Sequence, residues 1–264
     1  MALSDIAFPS SNWIRSVEVV DSCSSTSDLL RDRLLDTPCE SSDSPDDCQG
    51  TVLVARHQTQ GRGRKTRDWW TGPPDSNLAL TACLAPPDPP LAGGLMAACA
   101  IAKVGEIFSG RPAALKWPND VLLQTKPQGW AKFCGILSEI PAKKPACLLV
   151  GIGANVRASP PHEVAPYPTT CVEPNANLED FLTAFLTEWE QMWVNYNQNG
   201  PLNLENEFFT RLCAWAPNGI RIPGEPDLLS GRLLEFSVSK GLSWGETDNF
   251  ITRPLGLLPT LEAL

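Results

Sequence analysis

No two cysteines in this chain stand at a C-x-x-C spacing, and only His57 and His162 could join them as imidazole ligands. A zinc site therefore has no candidate ligand set. The nine cysteines, Cys23, Cys39, Cys48, Cys83, Cys99, Cys134, Cys147, Cys171 and Cys213, read instead as reduced packing residues. Positive charge is scarce: 21 Lys+Arg stand against 30 Asp+Glu, a formal net charge of -9 and a pI of about 4.8. That balance opposes broad attraction to a polyanion, so DNA is not expected as a partner. The sequence opens without a basic segment followed by an apolar run, and no stretch reaches the roughly 20 apolar residues of a membrane span. The expectation is a cytoplasmic protein with no membrane partner. No internal repeat is visible, and at 264 residues the chain is long enough to bury an ordinary core without staples.

Against that acidic background, one stretch concentrates cations. Arg56, Arg62, Arg64, Lys65 and Arg67 fall within twelve residues, opposed only by Asp68, and Gly61 and Gly63 lie among them. Arginine-rich loops are often plain solvated surface. A bound anion is the alternative that would offset the mutual repulsion, and a compact phosphate or carboxylate suits the chain better than nucleic acid. The glycines lack a Cβ, so backbone N–H groups there can approach a ligand closely. The stretch is not a P-loop, because Arg64 precedes Lys65 and Thr66 where Gly-Lys-Ser/Thr is required.

Prolines (25) and glycines (19) punctuate alternating elements. Residues 26–35, with Leu29, Leu30 and Leu34 on one face behind Ser25 or Thr26, predict a capped helix. Residues 36–49 are acidic and rich in Ser and Pro, which predicts a mobile surface loop. Thr51–Ala55 and Asn77–Leu84 predict neighbouring strands with the arginine stretch between them. Residues 91–108 predict a helix lying close on a sheet. Further strand candidates are 113–117, 121–123, 131–140 and 146–156, which together make a mixed or antiparallel sheet. Asn177 would cap a helix to about Tyr196, with Leu178, Phe181, Leu182, Phe185, Leu186, Trp189, Trp193 and Tyr196 at the helical period. Those aromatics read as core. Short apolar pieces at 219–222, 231–238 and 250–252 predict a small β domain joined near residue 205.

Five segments in order now resemble one enzyme family: Ser-Ser-Thr-Ser at 24–27, Gln58 to Trp69, Lys-Trp-Pro-Asn-Asp at 116–120, Lys-Phe-Cys-Gly-Ile-Leu-Ser-Glu at 132–139 and Gly-Ile-Gly-Ala-Asn-Val at 151–156. Together, across residues 20–156, the chain resembles the catalytic domain of biotin protein ligases, also called holocarboxylase synthetases. The resemblance implies an α+β fold: a mixed or antiparallel sheet with packed helices, class II synthetase-like, at 1–204. It implies a small, divergent SH3-like β domain at 205–264, matched faintly through residues 230–242. It also implies that biotin's carboxylate attacks the α-phosphate of ATP to give biotinyl-AMP and pyrophosphate. A lysine of a biotin carboxyl carrier protein would then take the biotinyl group, in an enzyme acting as a monomer or homodimer. Residues 1–11 leave no room for the DNA-binding winged helix that some members carry, so repression is not expected.

The resemblance also assigns roles. Ser25, Thr26, Ser27 and Gln58 would meet the ureido head of biotin. Gly61, Arg62, Gly63 and Arg64 would wrap its carboxylate and the α-phosphate, while Arg67 would fix the loop and Trp69 pack on the adenylate. Lys132 would be the central catalytic cation, assisted by Arg62 and Arg64, because two anions must meet and their repulsion has to be offset by charges fixed in advance. Lys116 would lie nearer the phosphates. Asn119 and Asn155 are amides able to read an adenine edge, or else turn residues. Asp120 would help hold Mg2+ with the phosphate oxygens. Thr66 stands where the family usually has glycine, and Ser27 where it usually has asparagine. Two other readings stay open. One is lipoate or octanoate ligation on the related fold, although the Arg-Arg-x-x-Gly-Gly-Gly signature of that relative is missing. The other is a sensor of biotin or its adenylate that transfers nothing.

Overall fold

A seven-stranded sheet runs through the larger part of the chain: β1 (Ser16–Val20), β2 (Thr51–Ala55), β3 (Leu78–Leu84), β4 (Ala113–Lys116), β5 (Asp120–Lys126), β6 (Gly129–Glu139) and β7 (Leu148–Ala154). Their order is β1-β2-β3-β7-β6-β5-β4. Only β1 and β2 pair in parallel; the remaining neighbours are antiparallel, so the sheet is mixed. Among the described residues four helices accompany it: α1 (Thr26–Asp36), α2 (Leu91–Ser109), α3 (Leu178–Asn199) and α4 (Leu202–Trp215). This computed structural model describes residues 13–36, 49–126, 129–142, 146–224, 230–246 and 249–264. The acidic stretch expected to form a surface loop, 36–49, lies almost wholly outside them.

Successive strand residues point to opposite faces, and the sequence uses both. Val52 and Val54, Leu78, Leu80 and Leu84, and Leu148, Val150 and Ile152 enter the main core, which α2 and α3 cover. Leu53, Cys83 and Leu149 point the other way and meet Leu30 and Leu34 of α1. On that second face β7 continues in the same phase with Gly151 and Gly153. The cover of α1 therefore gives way to a floor without side chains. α2 is long and apolar enough to cross a membrane, but most of its length is buried against the sheet and the other helices. It lies close, with Gly105 against the Phe133 ring; a Cβ there would sit 2.7 Å from Cζ.

α3 starts at its expected cap, where the Asn177 side chain accepts from Glu179 N at 3.0 Å. β1, α4 and two C-terminal strands go beyond the elements expected from the sequence. Residue 205, near which the small β domain was expected to join, falls inside α4. The C-terminal segment adds an antiparallel sheet of β9 (Arg232–Ser237), β10 (Gly241–Glu246) and β11 (Asn249–Arg253), ordered β11-β10-β9, and a pair formed by β8 (Ile220–Arg221) and β12 (Glu262–Ala263). α4 joins the two parts: Phe208 meets Trp117 at 6.3 Å and stacks on Phe236 at 4.5 Å between ring centroids. Trp117 Nε1 donates to Leu258 O at 3.1 Å.

Candidate active site

The glycine floor carries a cavity of about 270 Å³. It is bounded by the first turn of α1, the β2–β3 connection, the β4–β5 turn and the middle of β6, with Tyr167, Trp215 and Thr260 closing it from later in the chain. Among the described residues six cations line it, Arg62, Arg64, Lys65, Arg67, Lys116 and Lys132, against the carboxylates Asp68 and Asp120. In a chain of net charge -9, that is a local reversal of sign. It suits a polyanionic ligand of small size.

The cationic loop closes on itself as a small hairpin. The backbones of Arg62 and Asp68 face each other as an antiparallel pair, Trp69 N donates to Gly61 O at 2.8 Å, and Gly63 N donates to Arg67 O at 2.7 Å. A 3-10 turn at Arg64–Thr66 forms its tip, with Lys65 at φ 56°, a left-handed conformation that costs a side-chain-bearing residue about 1–2 kcal/mol. The left-handed residue is thus Lys65, one place before the Thr66 that replaces a customary glycine. The hairpin then lays the Trp69 indole on the sheet. Gly135 and Gly153 are register partners in β6 and β7, and both face it. A Cβ on Gly153 would overlap the indole.

Lys132, only 12% exposed in its side chain, holds Asp120 at 2.6 Å and lies 5.4 Å from the ring centroids of both Trp69 and Tyr167. Two aromatic faces and one carboxylate fix the ammonium at the centre of the cavity. Arg62 is held differently: it meets Asp28 at 2.7 Å and Glu139 at 3.4 Å. Arg31 bonds the same two carboxylates at 2.6 and 2.5 Å, so two arginines alternate with two acids. Arg62 Nε is buried without a hydrogen-bond partner. Lys116 stands 5.6 Å from the centroid of the Trp215 ring.

The other end of the cavity is neutral and polar. Ser25, Thr26 and Ser27 are buried at the start of α1. Thr26 N donates to Gln58 Oε1 at 2.8 Å, so a side chain from the β2–β3 connection satisfies one of the helix's free amides. Asn119 donates to Ile136 O at 3.1 Å, which ties the β4–β5 turn to β6. The Cys134 thiol, in the core beside Lys132, is pushed well above its ordinary pKa by burial, and so is Cys99. Both behave as packing groups rather than nucleophiles.

Thirteen of the expected residues share this cavity: Ser25, Thr26, Ser27, Gln58, Arg62, Gly63, Arg64, Arg67, Trp69, Lys116, Asn119, Asp120 and Lys132. Gly61 and Asn155 do not line it. Gly61 sits behind the hairpin against the Trp69 carbonyl, and Asn155 is buried where it donates to Thr170 O at 3.3 Å. Sequence reasoning missed Asp28, Arg31, Glu139, Gly135, Gly153, Tyr167, Trp215 and Thr260. Glu139, Gly135 and Gly153 lay within motifs already quoted; the last three carry no local signal. Among the described residues no three His, Cys, Asp or Glu side chains are grouped to hold a metal ion. With one Asp120 oxygen bound to Lys132, a divalent cation here would draw most of its ligands from phosphate oxygens.

The family model described as Biotin/lipoate A/B protein ligase family matches residues 32–155. The biotin--[acetyl-CoA-carboxylase] ligase of Mycobacterium tuberculosis is 30% identical over 193 residues, covering 69% of this chain and 69% of that protein. The bifunctional ligase/repressor BirA of Bacillus subtilis is 36% identical over 118 residues, 42% of this chain and 34% of the relative. The match to this curated relative thus spans about a third of its length. Among solved structures, the biotin protein ligase of Aquifex aeolicus in complex with biotin and ATP superposes with a TM-score of 0.71 at 20% identity, covering 94% of this chain and 98% of that one. At that identity the likeness speaks for the fold.

Proposed function

Since the chain belongs to the biotin/lipoate A/B protein ligase family, we propose that it is an ATP-dependent biotin protein ligase. The observation that carries this reading is the convergence of Arg62, Arg64 and Lys132 on one cavity whose opposite end is lined by Ser25, Thr26, Ser27 and Gln58. In the first step a biotin carboxylate oxygen attacks the α-phosphorus of ATP, and the bond to pyrophosphate breaks. Both reactants are anions. Lys132 lies where its ammonium can bind the carboxylate and the bridging oxygen, and Arg62 and Arg64 neutralise the α-phosphate. Lys116 faces the leaving phosphates, Arg67 shapes the loop, and Trp69 packs against the adenylate over its glycine bed. Asn119 and Asn155 serve the adenine side, Asn155 from behind the cavity wall. Asp120 would offer one oxygen to a Mg2+ ion carried with the phosphates, which would supply further charge neutralisation.

In the second step a lysine amine of a biotin carboxyl carrier domain attacks the mixed-anhydride carbonyl, and AMP leaves. We place the activity in the cytoplasm, where thiols such as those of Cys23, Cys99, Cys134, Cys171 and Cys213 stay reduced. The test is transfer of radiolabelled biotin to a carrier domain with ATP and Mg2+. Labelling of the carrier is expected; absence of label overturns the proposal. Pyrophosphate release on mixing biotin with ATP excludes a sensor that transfers nothing, and the heats of binding of biotin and lipoate separate the two ligase chemistries.

A further inference from the structure

Four side chains at the neutral end of the cavity form one hydrogen-bonded chain, and its proton order can be deduced. Gln58 Oε1 accepts from Thr26 N at 2.8 Å. A backbone N–H can only donate, so this bond fixes which end of the Gln58 amide faces α1 and turns the NH2 group away from the helix. Thr26 Oγ1 lies 3.1 Å from the same oxygen, which has no proton to give, so the Thr26 hydroxyl donates to it. The Thr81 hydroxyl, 2.8 Å from Thr26 Oγ1, must then donate to Thr26. Ser27 Oγ, 2.9 Å from Thr81 Oγ1, must in turn donate to Thr81. The protons run Ser27 to Thr81 to Thr26 to Gln58.

Thr81 lies in the middle of β3, fully buried, and does not line the cavity. It is nonetheless the link through which the Gln58 amide sets the state of Ser27. With every hydroxyl proton directed inward, Ser27 and Thr26 can offer the cavity only lone pairs, while Gln58 retains N–H donors. Gly151 keeps the arrangement close, since a Cβ there would stand 2.8 Å from Ser27 Oγ.

We propose that Thr81 is a positioning residue that fixes this proton order and thereby makes the neutral end of the cavity select a ring presenting N–H donors beside a carbonyl oxygen. The inference rests on the biotin reading above: a cyclic urea has that pattern, with its N–H groups for the hydroxyls and its carbonyl for the Gln58 amide. The dithiolane of lipoate has neither. The residue acts through Thr26 and Ser27 rather than by contact with the ligand.

The test is calorimetric titration of the full chain, unaltered and as Thr81→Val and Thr81→Ser, with biotin, with a biotin N-methylated on one ureido nitrogen, and with ATP. The unaltered protein should prefer biotin to the methylated ring. Thr81→Val should bind biotin about tenfold more weakly, the worth of roughly one hydrogen bond to a buried group. It should also lose most of its preference over the methylated ring while ATP affinity stays unchanged. Thr81→Ser, which keeps the hydroxyl, should restore both quantities. Should Thr81→Val fail to fold, Thr81→Ala, which also lacks the hydroxyl, is read in the same way. A preference left at its original value in the folded variant overturns this inference alone. No biotin binding by the unaltered protein overturns the functional reading and this inference with it.

Discussion

Lys132 is the residue on which the proposed chemistry turns, and its surroundings suit it to that role. An ammonium between two aromatic rings, paired with Asp120 at 2.6 Å, is already oriented before any ligand arrives. Lys132→Ala should lower the rate of adenylate formation by about 10²–10³-fold, the size seen when one preorganised charge-stabilising group is removed. Biotin affinity should remain largely intact. Pyrophosphate release and calorimetry measure the two; loss of binding with unimpaired chemistry would contradict the assignment. A second residue-scale outcome concerns the floor. Gly153→Ala places a methyl in the Trp69 indole, so Trp69 must leave its bed. The KM for ATP should rise several-fold while circular dichroism stays native, and an unchanged KM would separate Trp69 from the nucleotide.

At the scale of elements, α1 depends on few contacts. Leu30 and Leu34 are fully buried beneath it in a small cluster with Leu53, Cys83, Cys147 and Leu149. Leu34→Ala should cost about 2–4 kcal/mol in denaturant unfolding. Because Ser25, Thr26 and Ser27 sit at the start of the same helix, biotin affinity should fall in parallel. The elements with strong periodicity were legible in advance. β2 has the expected bounds, Thr51–Ala55, and α3 carries its apolar stripe from Leu178 to Tyr196 behind Asn177. α4 was illegible because its inner face buries Arg211, which breaks the apolar stripe. That arginine is satisfied by Glu106 and Glu207 at 2.9 and 2.7 Å. β1 was illegible for another reason: it is five residues long at the sheet edge, with one buried side chain, so no period can emerge.

Across the whole molecule, one core continues from the large sheet through α4 into the C-terminal strands. Trp117, Phe208, Phe236, Trp244, Leu258 and Leu261 belong to the same cluster as the residues of β2 and β7. Phe208→Ala should therefore cost about 3–5 kcal/mol, and heating should give one cooperative calorimetric transition rather than two. Two separate transitions would speak for independent units, such as the proposed division at residue 205. The candidate site follows the same geography. Most of its parts between residues 24 and 153 lie in motifs that sequence alone exposes, whereas Leu80, Leu122 and Trp130 do not. Trp215 and Thr260 reach the cavity because α4 and the C-terminal segment fold back over the β4–β5 turn, and Tyr167 because the β7–α3 connection pairs with Lys132 through Pro168 and Thr169; no local pattern encodes either return.

Three of the nine tryptophans, Trp69, Trp130 and Trp215, line the cavity, and two of them lie close to lysine ammonium groups. The protein thus carries its own optical reporter. Ligands that draw Lys132 or Lys116 towards a phosphate would alter the quenching of the neighbouring indole, so occupancy can be followed by intrinsic fluorescence without a dye. Trp69→Phe and Trp215→Phe would tell the two halves of the ligand apart by colour and time.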